Sequence, residues 1–160
     1  MSISHFIACK NYEEKITIKH THVIFSNGRE SNRQRVQGIK RILVVDDEYD
    51  ISLTIKIVLE ENGFKVDSFT KASEALENFT TSLYDVVILD VKMPEMDGFS
   101  LYKKIKKLDD KVIICFLTAA GDGYYKILKK NYPGINEDCI IYKPVDNESL
   151  LRQIKSVLQR

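Results

Sequence analysis

The sequence predicts an α/β protein, a doubly wound parallel sheet of five strands and five helices. Two observations carry this expectation. From Ile39 onward, short apolar runs alternate strictly with segments of helical periodicity, and strands separated by helices are joined by right-handed crossovers that leave them parallel. Several of the runs are also apolar at every position, the pattern of strands covered on both faces.

The first run is Ile42-Leu43-Val44-Val45. Ile51, Ile55, Val58 and Leu59 follow on one face of a helix that Asn62-Gly63 closes. Phe64-Lys65-Val66-Asp67 is a shorter, less apolar strand suited to a sheet edge, and Ala72, Ala75, Leu76 and Phe79 mark the second helix. Val86-Val87-Ile88-Leu89 is again fully apolar. Leu101, Ile105 and Leu108 define a third helix whose outer face, with Lys103, Lys104, Lys106 and Lys107, reads as solvated. Val112 to Leu117 is the fourth strand, Tyr125, Leu128 and Tyr132 a helix stopped by Pro133-Gly134, and Cys139 to Tyr142 the fifth strand. Asp146 is placed to cap a last helix that gathers Leu150, Leu151, Ile154, Val157 and Leu158 on one side.

The 160 residues suffice for one domain with length to spare. Residues 1–40 hold seven Lys/Arg against three Asp/Glu, and the remainder 17 against 20, so a basic arm precedes a mildly acidic body. The arm is polar, with one alternating stretch from Ile16 to Phe25 able to form a strand or hairpin. Ser26 to Arg35 has almost nothing to bury and reads as a linker. A boundary near Gly38 divides an extension, 1–38, from a domain, 39–160. A charge balance of +4 in so short an arm is weak support for nucleic-acid binding. No apolar run is long enough for a membrane span, and no signal-peptide core precedes the domain. Cys9, Cys115 and Cys139 lack metal-type spacing, and the latter two read as reduced, buried thiols. These features together suggest a cytoplasmic protein.

In an open parallel sheet the functional crevice lies beyond the carboxyl ends of the strands. The residues there are Asp46, Asp47 and Glu48 after the first strand, Asp90 after the third, Thr118-Ala119 after the fourth, and Lys143-Pro144 after the fifth. Alone, each aspartate would be an ordinary turn former or helix cap, Thr118 a cap and Lys143 a surface lysine. Convergence on one edge is what departs from that. Three crowded carboxylates repel unless a cation sits among them, and oxygen ligands with open positions suit Mg²⁺. Asp46, Asp47 and Asp90 balance one Mg²⁺ plus Lys143, and such a site can receive a phosphoryl group.

The blocks Val44-Val45-Asp46-Asp47-Glu48, Leu89-Asp90-Val91-Lys92-Met93-Pro94-Glu95-Met96-Asp97-Gly98, Leu117-Thr118-Ala119 and Lys143-Pro144 resemble the signature of response-regulator receiver domains of two-component systems. The resemblance covers roughly residues 40 to 160 and implies a flavodoxin-like strand order 2-1-3-4-5, which a chemotaxis regulator of this family exemplifies. It implies that Asp90 accepts a phosphoryl group from a sensor histidine kinase or phosphotransfer protein. It further implies that Asp47, Asp90 and the backbone carbonyl of Lys92 ligate Mg²⁺, while Asp46 holds a metal-bound water. Lys143 would pair with the phosphoryl oxygens and Thr118 would hydrogen-bond them. Pro144 would follow a cis peptide, and Met93-Pro94 and Gly98 would shape the adjoining loop.

Two departures stand against the family pattern. Members usually carry Tyr or Phe three residues before the lysine, where this chain has Ile140, with Tyr142 the nearby aromatic. The segment from Gly121 to Asp138 is slightly long and differs at its end, which directs attention to Tyr124 and Tyr125 as carriers of the response. A phosphatase of the haloacid dehalogenase class would need Asp-x-Asp, whereas Asp46 and Asp47 are adjacent. A receiver-like interaction module without phosphorylation would usually lack one of the acidic residues or the lysine, and none is missing. The expectation is thus a signalling domain rather than an enzyme. With the last helix ending near Arg160, it is further expected to stand alone, without a DNA-binding domain, and to act through an unknown downstream protein.

Overall fold

Apolar strands that cannot face water on either side need helices above and below, and the chain supplies them alternately. The computed structural model describes residues 38–119, 128–130, 132 and 135–159. The chain divides between Arg35 and Val36. The alternation at Ile16 to Phe25, the linker, Tyr124, Tyr125 and Pro133-Gly134 lie outside the described residues.

Five strands, β1 (Arg41–Val45), β2 (Lys65–Phe69), β3 (Val86–Asp90), β4 (Ile113–Thr118) and β5 (Ile140–Tyr142), form one sheet in the order β2-β1-β3-β4-β5. Every adjacent pair is parallel, as the alternation predicted. The helices are α1 (Tyr49–Glu61), α2 (Ala72–Glu77), α3 (Gly98–Leu108), the helical residues 128–130 (α4) and α5 (Asn147–Leu158).

Side chains alternate across each strand, so the sheet has two cores. Leu43, Val45, Val87, Leu89, Ile114, Phe116 and Ile140 pack with Ala72 and Ala75 of α2, Leu101 and Ile105 of α3, and Leu128. Ile42, Val44, Val86, Ile88, Cys115, Leu117 and Ile141 pack with Ile55 and Leu59 of α1 and with Leu150, Ile154 and Val157 of α5. The aliphatic residues of β1 and β3 among these are all fully buried.

Several boundaries differ from the sequence reading. Strand β2 runs two residues further, because its backbone stays in register with β1 up to the pair Val45 and Phe69. Helix α2 stops at Glu77, where the Asn78 side chain caps the carbonyl of Glu74. Phe79 leaves the helix and stacks on Tyr84, ring centroids 5.7 Å apart. Leu108, expected on the inner face, is 51% exposed. It is the last residue of α3, where Asp109 leaves helical geometry. Lys106 is not simply solvated. Its ammonium donates to the carbonyls of Asp110 and Val112 at 2.8 and 2.7 Å. Cys139 belongs to a 3-10 turn, Glu137–Cys139, that leads into β5. The Asp146 cap is as expected, its side chain accepting from the Ser149 amide at 2.9 Å.

Candidate functional site

Parallel strands β1, β3, β4 and β5 all end at one edge, and the crossovers begin there. Asp46 follows β1, Asp90 ends β3, Thr118 ends β4 and Lys143 follows β5. Residues far apart in the chain thereby share a crevice.

Lys143 is at its centre. Its Nζ lies 2.8 Å from Asp90 Oδ1, 2.8 Å from Asp46 Oδ2 and 3.1 Å from Glu48 Oε1. The two aspartates are almost dry, Asp46 at 0% exposure and Asp90 at 5%. Burial pushes the Asp90 carboxyl above the usual carboxylate range. Lys143 and the Lys92 amide oppose that rise, and the negative charge of Asp46 adds to it. Burial alone would favour a neutral Lys143, but hydrogen bonding and charge from Asp46 and Asp90 outweigh it and hold its pKa above normal. Lys143 is therefore charged across the physiological range.

Each acidic oxygen has a distinct surrounding. Asp90 Oδ2 accepts from the Lys92 amide at 2.7 Å, and Asp46 Oδ1 from the Glu48 amide at 2.9 Å. Asp46 Oδ2 is buried and meets no polar partner except the Lys143 ammonium, 2.8 Å away. Two buried aspartates beside the exposed Asp47 offer the all-oxygen donor set that a hard cation takes, so the donor chemistry fits Mg²⁺. No three ligating side chains are gathered into a group that could hold a metal among the described residues. The Lys143 ammonium bridges Asp46 and Asp90, and Asp47 points to solvent. The expected cluster is thus assembled as a buried pair plus an outlying carboxylate.

The backbone fixes these positions. The Val91 amide donates to the Leu117 carbonyl at 3.0 Å, and the Lys143 amide to the Thr118 carbonyl at 2.8 Å, tying the loop after β3, β4 and the lysine together. Thr118 is 2% exposed. The Lys143–Pro144 peptide is cis, as the resemblance implied. A Cβ on Gly98 would overlap the Asp90 carbonyl oxygen and lie 3.1 Å from Val91 Cα, so only glycine lets α3 start against the end of β3. Glu95 takes a left-handed conformation, φ 64°, in the loop that Met93 and Pro94 open.

Sequence reasoning brought Asp46, Asp90, Thr118 and Lys143 to one place correctly. It missed the pairing of Glu48 with Lys143, 95 residues away, because a carboxylate after a strand signals nothing about so remote a partner.

Comparison with known proteins agrees with the geometry. The family model for the response regulator receiver domain matches residues 42–155. The chain belongs to the response-regulator receiver family. It is 35% identical over 115 residues to the transcriptional regulatory protein DltR of Streptococcus agalactiae, covering 72% of this chain and 50% of DltR. It is 31% identical over 120 residues to the response regulator ArlR of Staphylococcus aureus, covering 75% of this chain and 53% of ArlR. Among solved structures, the chemotaxis protein CheY4 of Vibrio cholerae superposes with a TM-score of 0.66 at 27% identity, over 74% of this chain and 98% of CheY4.

These relatives correct one expectation. The chain spans about half the length of the curated relatives it matches, and one of them is a regulator of transcription. The reading of a stand-alone regulator without a DNA-binding domain is therefore overturned. A receiver is an input switch, and the position of Arg160 carries no information about the output joined to such a switch. Among the described residues no helix is long and apolar enough to cross a membrane.

Proposed function

We propose that the chain is a phospho-accepting response regulator, with Asp90 the acceptor. The observation that carries this reading is the 2.8 Å approach of Lys143 Nζ to Asp90 Oδ1 in a nearly dry pocket at the end of β3. The donor is a phosphohistidine on a sensor histidine kinase or phosphotransfer protein. An Asp90 carboxylate oxygen attacks phosphorus, the new O–P bond forms as the P–N bond breaks, and the imidazole nitrogen leaves with the electron pair. The residues that would hold Mg²⁺ are Asp47 and Asp90 with the Lys92 carbonyl, and Asp46 through water. When bound, the ion supplies positive charge against the carboxylates and the phosphoryl oxygens. Lys143, held charged, is placed to pair with those oxygens and fix their orientation. The chain so described is a signalling switch rather than a turnover catalyst.

Phosphorylation adds roughly −1.5 to −2 charges beside Lys143. A hydrogen bond from the Thr118 hydroxyl to a charged phosphoryl oxygen is worth about 1.5–3 kcal/mol. Taking a two-state equilibrium from 1:99 to 99:1 needs about 5.5 kcal/mol. Thr118 therefore acts together with Lys143 rather than alone.

The test is incubation with acetyl phosphate and Mg²⁺, followed by intact mass and peptide mapping. One phosphoryl group on the Asp90 peptide is expected, absent without Mg²⁺ and absent in Asp90→Asn. Full labelling of Asp90→Asn would remove the proposal.

A further inference from the structure

The site does not use Cys115 and Cys139, and their placement is specific. The β4–β5 register begins at the pair Phe116 and Ile140, so Cys115 in β4 and Cys139 at the end of the 3-10 turn each stand one residue before it. Both are buried in the core facing α1 and α5. The adjoining pair Phe116 and Ile140 is held at the strand spacing of about 4.7–4.9 Å, and the two thiols are hydrogen-bonded to one another, which suits the Cα separation of about 4.4–6.8 Å that a disulfide spans. We propose that Cys115 and Cys139 are a redox modification site, a dithiol that a peroxide closes to a disulfide across β4 and β5.

The two thiols are not equivalent. Cys115 is fully buried, whereas Cys139 is 9% exposed. Cys139 lines a pocket of 370 Å³ together with Lys106 and Lys111, room enough for a molecule the size of hydrogen peroxide. The hydrogen bond with Cys115 draws the Cys139 thiol below its ordinary pKa against the effect of burial, and Lys106 adds to it. Cys139 is therefore the attacking sulfur. Its thiolate displaces hydroxide from hydrogen peroxide and becomes a sulfenic acid. The Cys115 thiol then attacks that sulfur, the S–O bond breaks and water leaves. The dithiol loses two electrons and two protons, and the peroxide is reduced to two waters. The bond would tie β5 to β4 immediately before Ile140, three residues from Lys143.

The test uses the full chain carrying Cys9→Ser, treated with hydrogen peroxide at neutral pH and mapped by mass spectrometry without reduction. The expected product is one Cys115–Cys139 linked peptide pair per chain, lighter by two hydrogens and restored by a phosphine reductant. In a Cys115→Ser variant, dimedone should trap a sulfenic acid on Cys139. In Cys139→Ser, Cys115 should stay unlabelled. Circular dichroism checks each fold, and Cys→Ala variants replace any serine variant that fails to fold. The proposal is overturned if the folded chain retains both thiols, or if Cys115 is trapped as readily as Cys139.

Discussion

Gly98 and Asp90 are joined by shape: helix α3 starts so close to the end of β3 that a Cβ on Gly98 would overlap the Asp90 carbonyl oxygen. The Gly98 amide also donates to the Val91 carbonyl at 3.1 Å. Because the obstacle is backbone rather than a mobile side chain, Gly98→Ala must push α3 away from β3. Overpacking of this kind costs about 1–3 kcal/mol. Urea denaturation should show that loss, with slower phosphorylation by acetyl phosphate; an unchanged midpoint would mean the loop yields freely.

The raised pKa of Asp90 sets a pH dependence. In the metal-free chain the Asp90 carboxyl should take up its proton at a pH higher than an unperturbed aspartate, pKa about 3.9, would. The stability effect follows from the same shift. Protonated Asp90 favours the folded state, so its contribution is greatest below the unfolded pKa and is lost as pH rises through the folded one. Asp90→Asn should therefore abolish labelling while raising the denaturation midpoint at neutral pH. An Asp90 carboxyl that titrates at or below the ordinary aspartate value in the metal-free protein, followed by carbon-13 NMR, would contradict the first part.

Asp109 holds the turn after α3 to the loop before β3. Its buried carboxylate accepts from the amides of Ser82, Lys111 and Val112 at 2.7, 3.0 and 3.2 Å, and Ser82 has φ 63°. The Ser82 amide first, then those of Lys111 and Val112, hold its pKa below the ordinary value against burial. A depressed carboxylate stabilises above its unfolded pKa and loses that contribution as pH falls through the folded one. Asp109→Ala should cost about 1–3 kcal/mol, since it leaves the buried Val112 amide without its acceptor. It should also flatten the acid limb of the stability profile below pH 4.

Ile140 occupies the position where the family usually has an aromatic ring. It is 4% exposed and paired in register with Phe116, whose ring lies 5.1 Å from Phe99 and 5.5 Å from Tyr102. Phe99 and Tyr102 in turn contact Tyr132 at 5.6 and 5.3 Å. With that space filled, Ile140→Tyr should destabilise by about 1–3 kcal/mol, where Ile140→Val costs about 0.5–1.5. A thermal melt separates them, and an Ile140→Tyr variant as stable as the parent would show room for a ring.

The sequence by itself determined the class, the order of elements and most of the site. Apolar runs such as Val86 to Leu89, short and rich in β-branched residues, have the pattern of strands covered on both faces. Alternation with helices makes them parallel, and parallel strands deliver Asp46, Asp90, Thr118 and Lys143 to one edge. These are consequences of periodicity and topology, which are local or nearly so. Tertiary structure decided what depends on distance through space. Strand β2 reaches Phe69 because β1 offers backbone partners that far, although Ser68 has no strand signal of its own. Glu48 and Asp46 Oδ2 both meet Lys143, and both outcomes depend on where a lysine 95 residues beyond Glu48 comes to rest. Leu108 faces solvent although its spacing fits the buried stripe, since the helix ends there and the burial of its last turn stops with Ile105. Periodicity says which face is apolar; only the packed neighbours say where that face stops being covered.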